Sequence, residues 1–220
     1  MNAEERYSRQ RDIVPIDKLK DKKVSVIGVG AVGRNVALQL ASMGVNNLHL
    51  IDFDKVEESN IASQGYLEGD LGKYKVDATA AHCQLINGTI KVKVENNRFK
   101  GTTRPGRIVF CCVDDIEARK RIFSRIRNEV DLFIDGRMHA EAFRVLAAFD
   151  SESKSYYYNH TLFPAEEADQ GSCTAKSTIY CASGLACFEA QILAKWLRDM
   201  PIQKDVLVNL LSNEIEVLKE

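Results

Sequence analysis

Short apolar runs alternate with stretches of helical spacing along most of the chain, the pattern that builds a parallel sheet from βαβ units. Val24 to Ile27 is a β-branched run that predicts a strand buried on both faces. Asn35 to Met43 has helical spacing, and Gly44 supplies its C-terminal stop. Asn47 to Phe53 predicts a second strand, Val76 to Ile86 a helix, and Val92 to Asn96 and Gly106 to Val113 further strands. Ile116 to Val130 predicts a helix with a basic face, followed by strands over Leu132 to Asp135 and Phe143 to Phe149. Periodicity is lost over 150–172, which reads as a crossover loop, and a long helix is expected from Cys173 to Arg198. Val206 to Leu218 alternates and breaks at Ser212 and Asn213, as in a terminal hairpin. The predicted fold is α/β over residues 1–220 as a single domain. It has a Rossmann-like, mostly parallel sheet with helices on both faces, C-terminal antiparallel strands and a polar N-terminal arm over 1–20.

Composition narrows the partners. The 220 residues carry a formal net charge of −1 with 28% charged residues, so no overall basic field points to nucleic acid and no DNA partner is expected. The basic face of Arg119, Lys120, Arg121, Arg125 and Arg127 reads as a solvated helix face. Met1 to Arg11 is charged, with no signal-peptide core, and no run is long enough to span a bilayer. A cytoplasmic protein without a membrane partner is expected. The six cysteines (83, 111, 112, 173, 181 and 187) contain no C-x-x-C, and the four histidines show no metal spacing, so no zinc site is expected.

Gly28, Gly30 and Gly33 form G-x-G-x-x-G between the first strand and its helix, the turn that brings phosphate to a helix N-terminus. Asp52 follows at the end of the next strand, where an acid reaches ribose hydroxyls. A polar cluster runs from Asp52 through Asp54 and Asn60 to Gln64, and Gly72-Lys73-Tyr74-Lys75 sets two lysines before a helix. Asp114 ends a buried strand, where a carboxylate can hold Mg²⁺ beside phosphate. Arg6 and Arg9 carry forked donors that match phosphate oxygens.

Together these segments resemble the ThiF/MoeB/HesA family, the bacterial relatives of ubiquitin-activating enzymes. The segments that carry the resemblance are Arg6-Tyr-Ser-Arg-Gln10, the glycine turn, Asp52 to Asn60, Gly72 to Val76 and Cys112-Val-Asp114. The resemblance implies an adenylyltransferase that binds ATP and Mg²⁺ and activates the C-terminal carboxylate of a small ubiquitin-like or sulfur-carrier protein ending in glycine. It implies that Asp52 holds the ribose, with Asp54 in the same nucleotide site. Asn60 and Gln64 would line the triphosphate pocket, Lys75 would neutralise phosphate and Asp114 would hold Mg²⁺, while Arg9 would enter from the neighbouring subunit of a homodimer. Cys173, in Gly171-Ser-Cys-Thr174, would receive the acyl group, its thiolate favoured at a helix N-terminus.

Position 63 departs from the family pattern, being Ser where arginine is common; Arg137 is a candidate replacement. Other readings keep the adenylation but change the acceptor to a tRNA-nucleoside or peptide carboxylate, or make the chain the non-catalytic member of a heterodimer. A nicotinamide dehydrogenase would also use the glycine turn, but it leaves Arg9, Asn60, Lys75 and Asp114 without a role.

Overall fold

The computed structural model describes residues 3–163 and 177–218. Two short helices, α1 (Ala3–Arg6) and α2 (Ile16–Leu19), precede β1 (Lys23–Ile27), α3 (Ala31–Met43) and β2 (Asn47–Ile51). Then come α4 (Glu58–Gln64), α5 (Lys75–Ile86), β3 (Lys91–Glu95), β4 (Ile108–Cys111) and α6 (Ile116–Ile126). The chain continues through β5 (Leu132–His139), β6 (Ala142–Ala148), α7 (Tyr158–His160), α8 (Ile179–Leu197), β7 (Asp205–Asn209) and β8 (Glu214–Val217).

The strands form one eight-stranded sheet in the order β3-β2-β1-β4-β5-β6-β7-β8. The five strands from β3 to β5 run parallel, and β6, β7 and β8 add antiparallel pairs, as the sequence pattern predicts. Both faces of the parallel part are covered. Val24, Val26, Leu48, Leu50 and Phe110 pack under α3, α5 and α8, while Ile27, Ile51, Val109 and Phe133 face α6 and Tyr158. That two-sided burial is why β1 and β4 read as continuous apolar runs.

Chain order reverses direction across the sheet between β1 and β4. In a parallel α/β sheet such a switch point opens a crevice at the carboxyl ends of the strands.

Helix α3 starts at Ala31 rather than Asn35, α6 ends at Ile126 rather than Val130, and three further boundaries shift. The crossover loop holds helical turns, Ser153–Tyr157 running into α7. They start because the Ser153 N–H donates to Asp150 Oδ1 at 2.7 Å, and they stay because Tyr158 is buried against Phe123 and Phe133. Strand β5 runs on to His139, since its second half pairs with β6 in a hairpin that closes at Ala140, φ +51°. Helix α8 starts at Ile179, with the Thr178 side chain accepting from the Cys181 N–H, so Thr178 rather than Cys173 caps it. Cys173 itself lies outside the described residues. Among those described, no helix is long and apolar enough to cross a membrane.

Candidate functional site: a cleft at the switch point

A cleft of about 810 Å³ opens where β1 and β4 part. Its walls bring together Gly28, Gly30, Asp52, Asp54, Gln64, Lys75 and Asp114, seven of the predicted site residues. Gly28 takes φ +85°, and a Cβ there would lie 2.7 Å from the Cys112 carbonyl oxygen. Gly33 serves packing: a Cβ would lie 1.9 Å from the Gly28 carbonyl oxygen, so only glycine lets α3 sit this close to the turn. Gly30 caps α3 without a side chain, and Gly30, Ala31 and Val32 of this helix start line the cleft.

Asp52 accepts the Val29 N–H at 2.6 Å on one oxygen and the Asp54 N–H at 2.8 Å on the other. Burial raises its pKa against the opposing pull of those two N–H groups and of Lys75. Each carboxylate oxygen retains a second lone pair for a ribose hydroxyl. The buried Lys75 places Nζ 3.3 Å from Asp54 Oδ2, which holds the ammonium inside the cleft wall. The neighbouring Lys73 is instead paired with Asp70 at 3.3 Å. Gln64 Oε1 is buried with no hydrogen-bond partner, an orphaned acceptor in a wall that faces the cleft.

Asp114 is exposed in the cleft, whereas its neighbour Asp115 caps α6 by accepting the Glu117 N–H at 2.8 Å. The capping duty thus falls on one aspartate and leaves the other open. Among the described residues no group of three or more His, Cys, Asp or Glu could hold a metal by itself. A single carboxylate completed by phosphate oxygens is a donor set that suits Mg²⁺, so Asp114 fits that ion. The backbone that aims Asp114 is pinned by Arg119, which donates to the carbonyls of Cys111 and Val113 and pairs with the fully buried Asp135.

Other predicted residues stand outside the cleft walls. Asn60 Oδ1 accepts the Glu57 N–H at 3.0 Å and so caps α4. Arg137 is engaged by Asp135 at 2.8 Å and by Thr161 and does not line the cleft. Ser63 Oγ turns back onto the Ser59 carbonyl at 2.7 Å. Arg9 is exposed on the N-terminal arm. Gln10 ties that arm to the Ser42 carbonyl at 3.0 Å, at the end of α3 remote from the glycine turn. With 13 residues, α3 is about 20 Å long, and Arg9 does not line the cleft.

The cleft also holds residues with no predicted role in the site. Arg98 lies 4.0 Å over the ring of Phe53, and both line the mouth. Arg119, Arg121 and Arg125 of the basic face of α6 line the cleft; Lys120 and Arg121 are exposed as read from the sequence, whereas the reading fails for Arg119. Arg119 is in fact buried. Cys112 sits 3.9 Å from both oxygens of Glu189, a fully buried carboxyl on α8. Helical spacing marks the inward face of α6, but no local signal brings α6 to the cleft.

The fold and the cleft define a doubly wound α/β protein with a glycine turn, a buried acid and an open carboxylate gathered at the switch point. A model of the ThiF family matches residues 7–218, and the chain belongs to that family. It is 30% identical over 142 residues to ubiquitin-like modifier-activating enzyme 5 of Caenorhabditis elegans, covering 57% of this chain and 34% of that protein. The Bombyx mori protein of the same name is 34% identical over 131 residues, covering 52% of this chain and 33% of that one. The chain thus spans about a third of the length of these relatives. Among solved structures, PaaA superimposes with a TM-score of 0.79 at 21% identity, covering all of this chain and 76% of that one. Escherichia coli MccB with ATP gives a TM-score of 0.75 at 19% identity, covering all of this chain and 72% of that one. These two share the fold.

Proposed function

We propose that the chain adenylates a carboxylate at the end of a small protein or peptide, using Mg·ATP. The observation that carries this reading is the gathering of Gly28, Gly30, Asp52, Gln64, Lys75 and Asp114 around one cleft at the switch point. Family membership and the resemblance to activating enzymes support it. A carboxylate oxygen of the acceptor attacks the α-phosphorus, the bond to the bridging oxygen breaks, and pyrophosphate leaves with the electron pair. Asp52 orients the ribose, and the free N–H groups of α3 and the Lys75 ammonium receive phosphate charge. Asp114 would hold Mg²⁺, which would supply positive charge against the phosphates. Such a reaction asks the protein for positioning and charge neutralisation.

The preferred acceptor is a ubiquitin-like or sulfur-carrier protein ending in glycine, in keeping with the named activity of the relatives. A peptide carboxylate is the second reading, favoured by the overlap with MccB, which has been solved with MccA. Exchange of labelled pyrophosphate into ATP, run against small proteins ending in Gly-Gly and against short peptides, separates the two. Exchange that depends on one acceptor class names it. Asp114→Ala should lower that exchange a hundredfold or more while changing nucleotide affinity less, following the loss of roughly one transition-state charge contact. Exchange that survives in Asp114→Ala would remove Asp114 from the reaction. Acyl transfer to Cys173 remains part of the proposal: Cys173→Ala should keep pyrophosphate exchange but lose any covalent adduct with the acceptor.

A further inference from the structure

Tyr66 joins two elements of the cleft, the glycine turn and α5, without lining it. Its ring is 2% exposed and packs with Val56 and Ala78 in a small core of its own, with the Arg34 guanidinium 5.0 Å from the ring centre. The hydroxyl lies 2.6 Å from the Val29 carbonyl oxygen, 3.1 Å from Thr79 Oγ1 and 3.4 Å from the Lys75 carbonyl oxygen. A phenol has one proton to give, and the shortest contact directs it to Val29, leaving the oxygen to accept from Thr79. Val29 is the residue between Gly28 and Gly30, and its N–H donates to Asp52 at 2.6 Å. One residue of the phosphate-binding turn is therefore held from both sides, by a phenol and by the ribose-side acid. The same phenol reaches the first two turns of α5, whose first residue is Lys75.

A phenylalanine would fill this apolar nest equally well, so packing alone gives no reason for the hydroxyl. Burying it costs free energy unless it is satisfied. Its partners are the glycine turn and the helix that carries the phosphate-side lysine. Burial also raises the phenol pKa, which keeps it a neutral donor.

We infer that Tyr66 is a positioning residue of the cleft: the chain Tyr66–Val29–Asp52 fixes the peptide planes of the glycine turn and ties them to the start of α5. The inference rests on the nucleotide reading for its effect on affinity, but the brace itself is a property of the free protein. Without the hydroxyl, the Val29 carbonyl loses its buried donor and the turn loosens between Gly28 and Gly30.

The test compares Tyr66→Phe with Tyr157→Phe in the full chain. Tyr157 donates to Asp205 at 2.8 Å, at the antiparallel end of the sheet. Three quantities are measured: thermal unfolding, amide exchange of Val29 without nucleotide, and calorimetric titration with Mg·ATP. Tyr66→Phe should unfold near the Tyr157→Phe midpoint, exchange Val29 about tenfold faster than wild type and bind Mg·ATP about tenfold more weakly. Tyr157→Phe should leave the last two unchanged. Unaltered Val29 exchange in Tyr66→Phe, or unaltered affinity where wild type binds, overturns the inference. Wild type that binds no Mg·ATP overturns the nucleotide reading instead, and Val29 exchange then decides the brace. Should Tyr66→Phe fail to fold, Thr79→Val removes the donor that orients the hydroxyl proton toward Val29 and should raise Val29 exchange about threefold. No change there would equally overturn the inference.

Discussion

At the scale of single residues, two buried titratable groups make opposite claims on stability. Burial, aided by Lys93 and Lys23 and opposed by Glu95, lowers the His49 pKa to about 4. Between its ordinary value of 6.5 and about 4, the unfolded chain takes up a proton that the folded chain refuses. Stability should therefore fall as pH drops through that window, by about 3 kcal/mol at most. Urea unfolding of wild type and His49→Leu at pH 7 and pH 4.5 checks this, because the variant should lose that part of the pH dependence. Glu189 runs the other way. Burial raises its pKa from 4.5 to about 8, so the folded chain keeps a proton that the unfolded chain releases as pH rises. Glu189→Gln should raise the melting temperature clearly at pH 8, by a few kcal/mol of stability, and little at pH 4.5. An equal effect at both values would mean that Glu189 is not held neutral.

At the scale of elements, the turn from β1 into α3 makes a paired prediction. Gly33→Ala puts a methyl 1.9 Å from the Gly28 carbonyl oxygen and should destabilise the fold by roughly 2–4 kcal/mol in chemical denaturation. Gly30→Ala meets nothing closer than Gln64 Oε1 at 3.9 Å. It should unfold like wild type and yet bind nucleotide more weakly, because the methyl narrows the approach to the free N–H groups of α3. Much of this turn was legible from the chain, since strand, glycines, helix and acid follow one another within about thirty residues. The start of α8 was less legible: Ala182, Ser183 and Gly184 continue a pattern of small residues, but the Thr178 side chain sets the boundary. Arg98 on Phe53 and Arg119 on Asp135 left no local trace, because each pair is made by segments that only the fold brings together.

At the scale of the whole molecule, the position of Arg9 bears on assembly. The arm is fastened by Arg6 to Asn87 at the end of α5, at 3.3 Å, and by Gln10 to the Ser42 carbonyl, and Tyr7 lies against Gly44, both at the far end of α3. The proposed homodimer assigns this arginine to the cleft of the neighbouring chain. Arg9→Ala and Asp114→Ala should each be inactive alone, whereas mixed dimers regain one intact cleft and part of the pyrophosphate exchange. No recovery after demonstrated subunit exchange would leave Arg9 without a role in trans.

The central claim is that the switch-point cleft is a site for Mg·ATP, and calorimetric titration tests it most directly. Wild type and Asp52→Ala are each titrated with Mg·ATP and with NAD. Wild type should bind Mg·ATP more tightly than NAD, and Asp52→Ala should weaken that binding about tenfold through loss of the ribose contact. NAD binding more tightly than Mg·ATP, or Mg·ATP binding equally well to Asp52→Ala, would contradict the account.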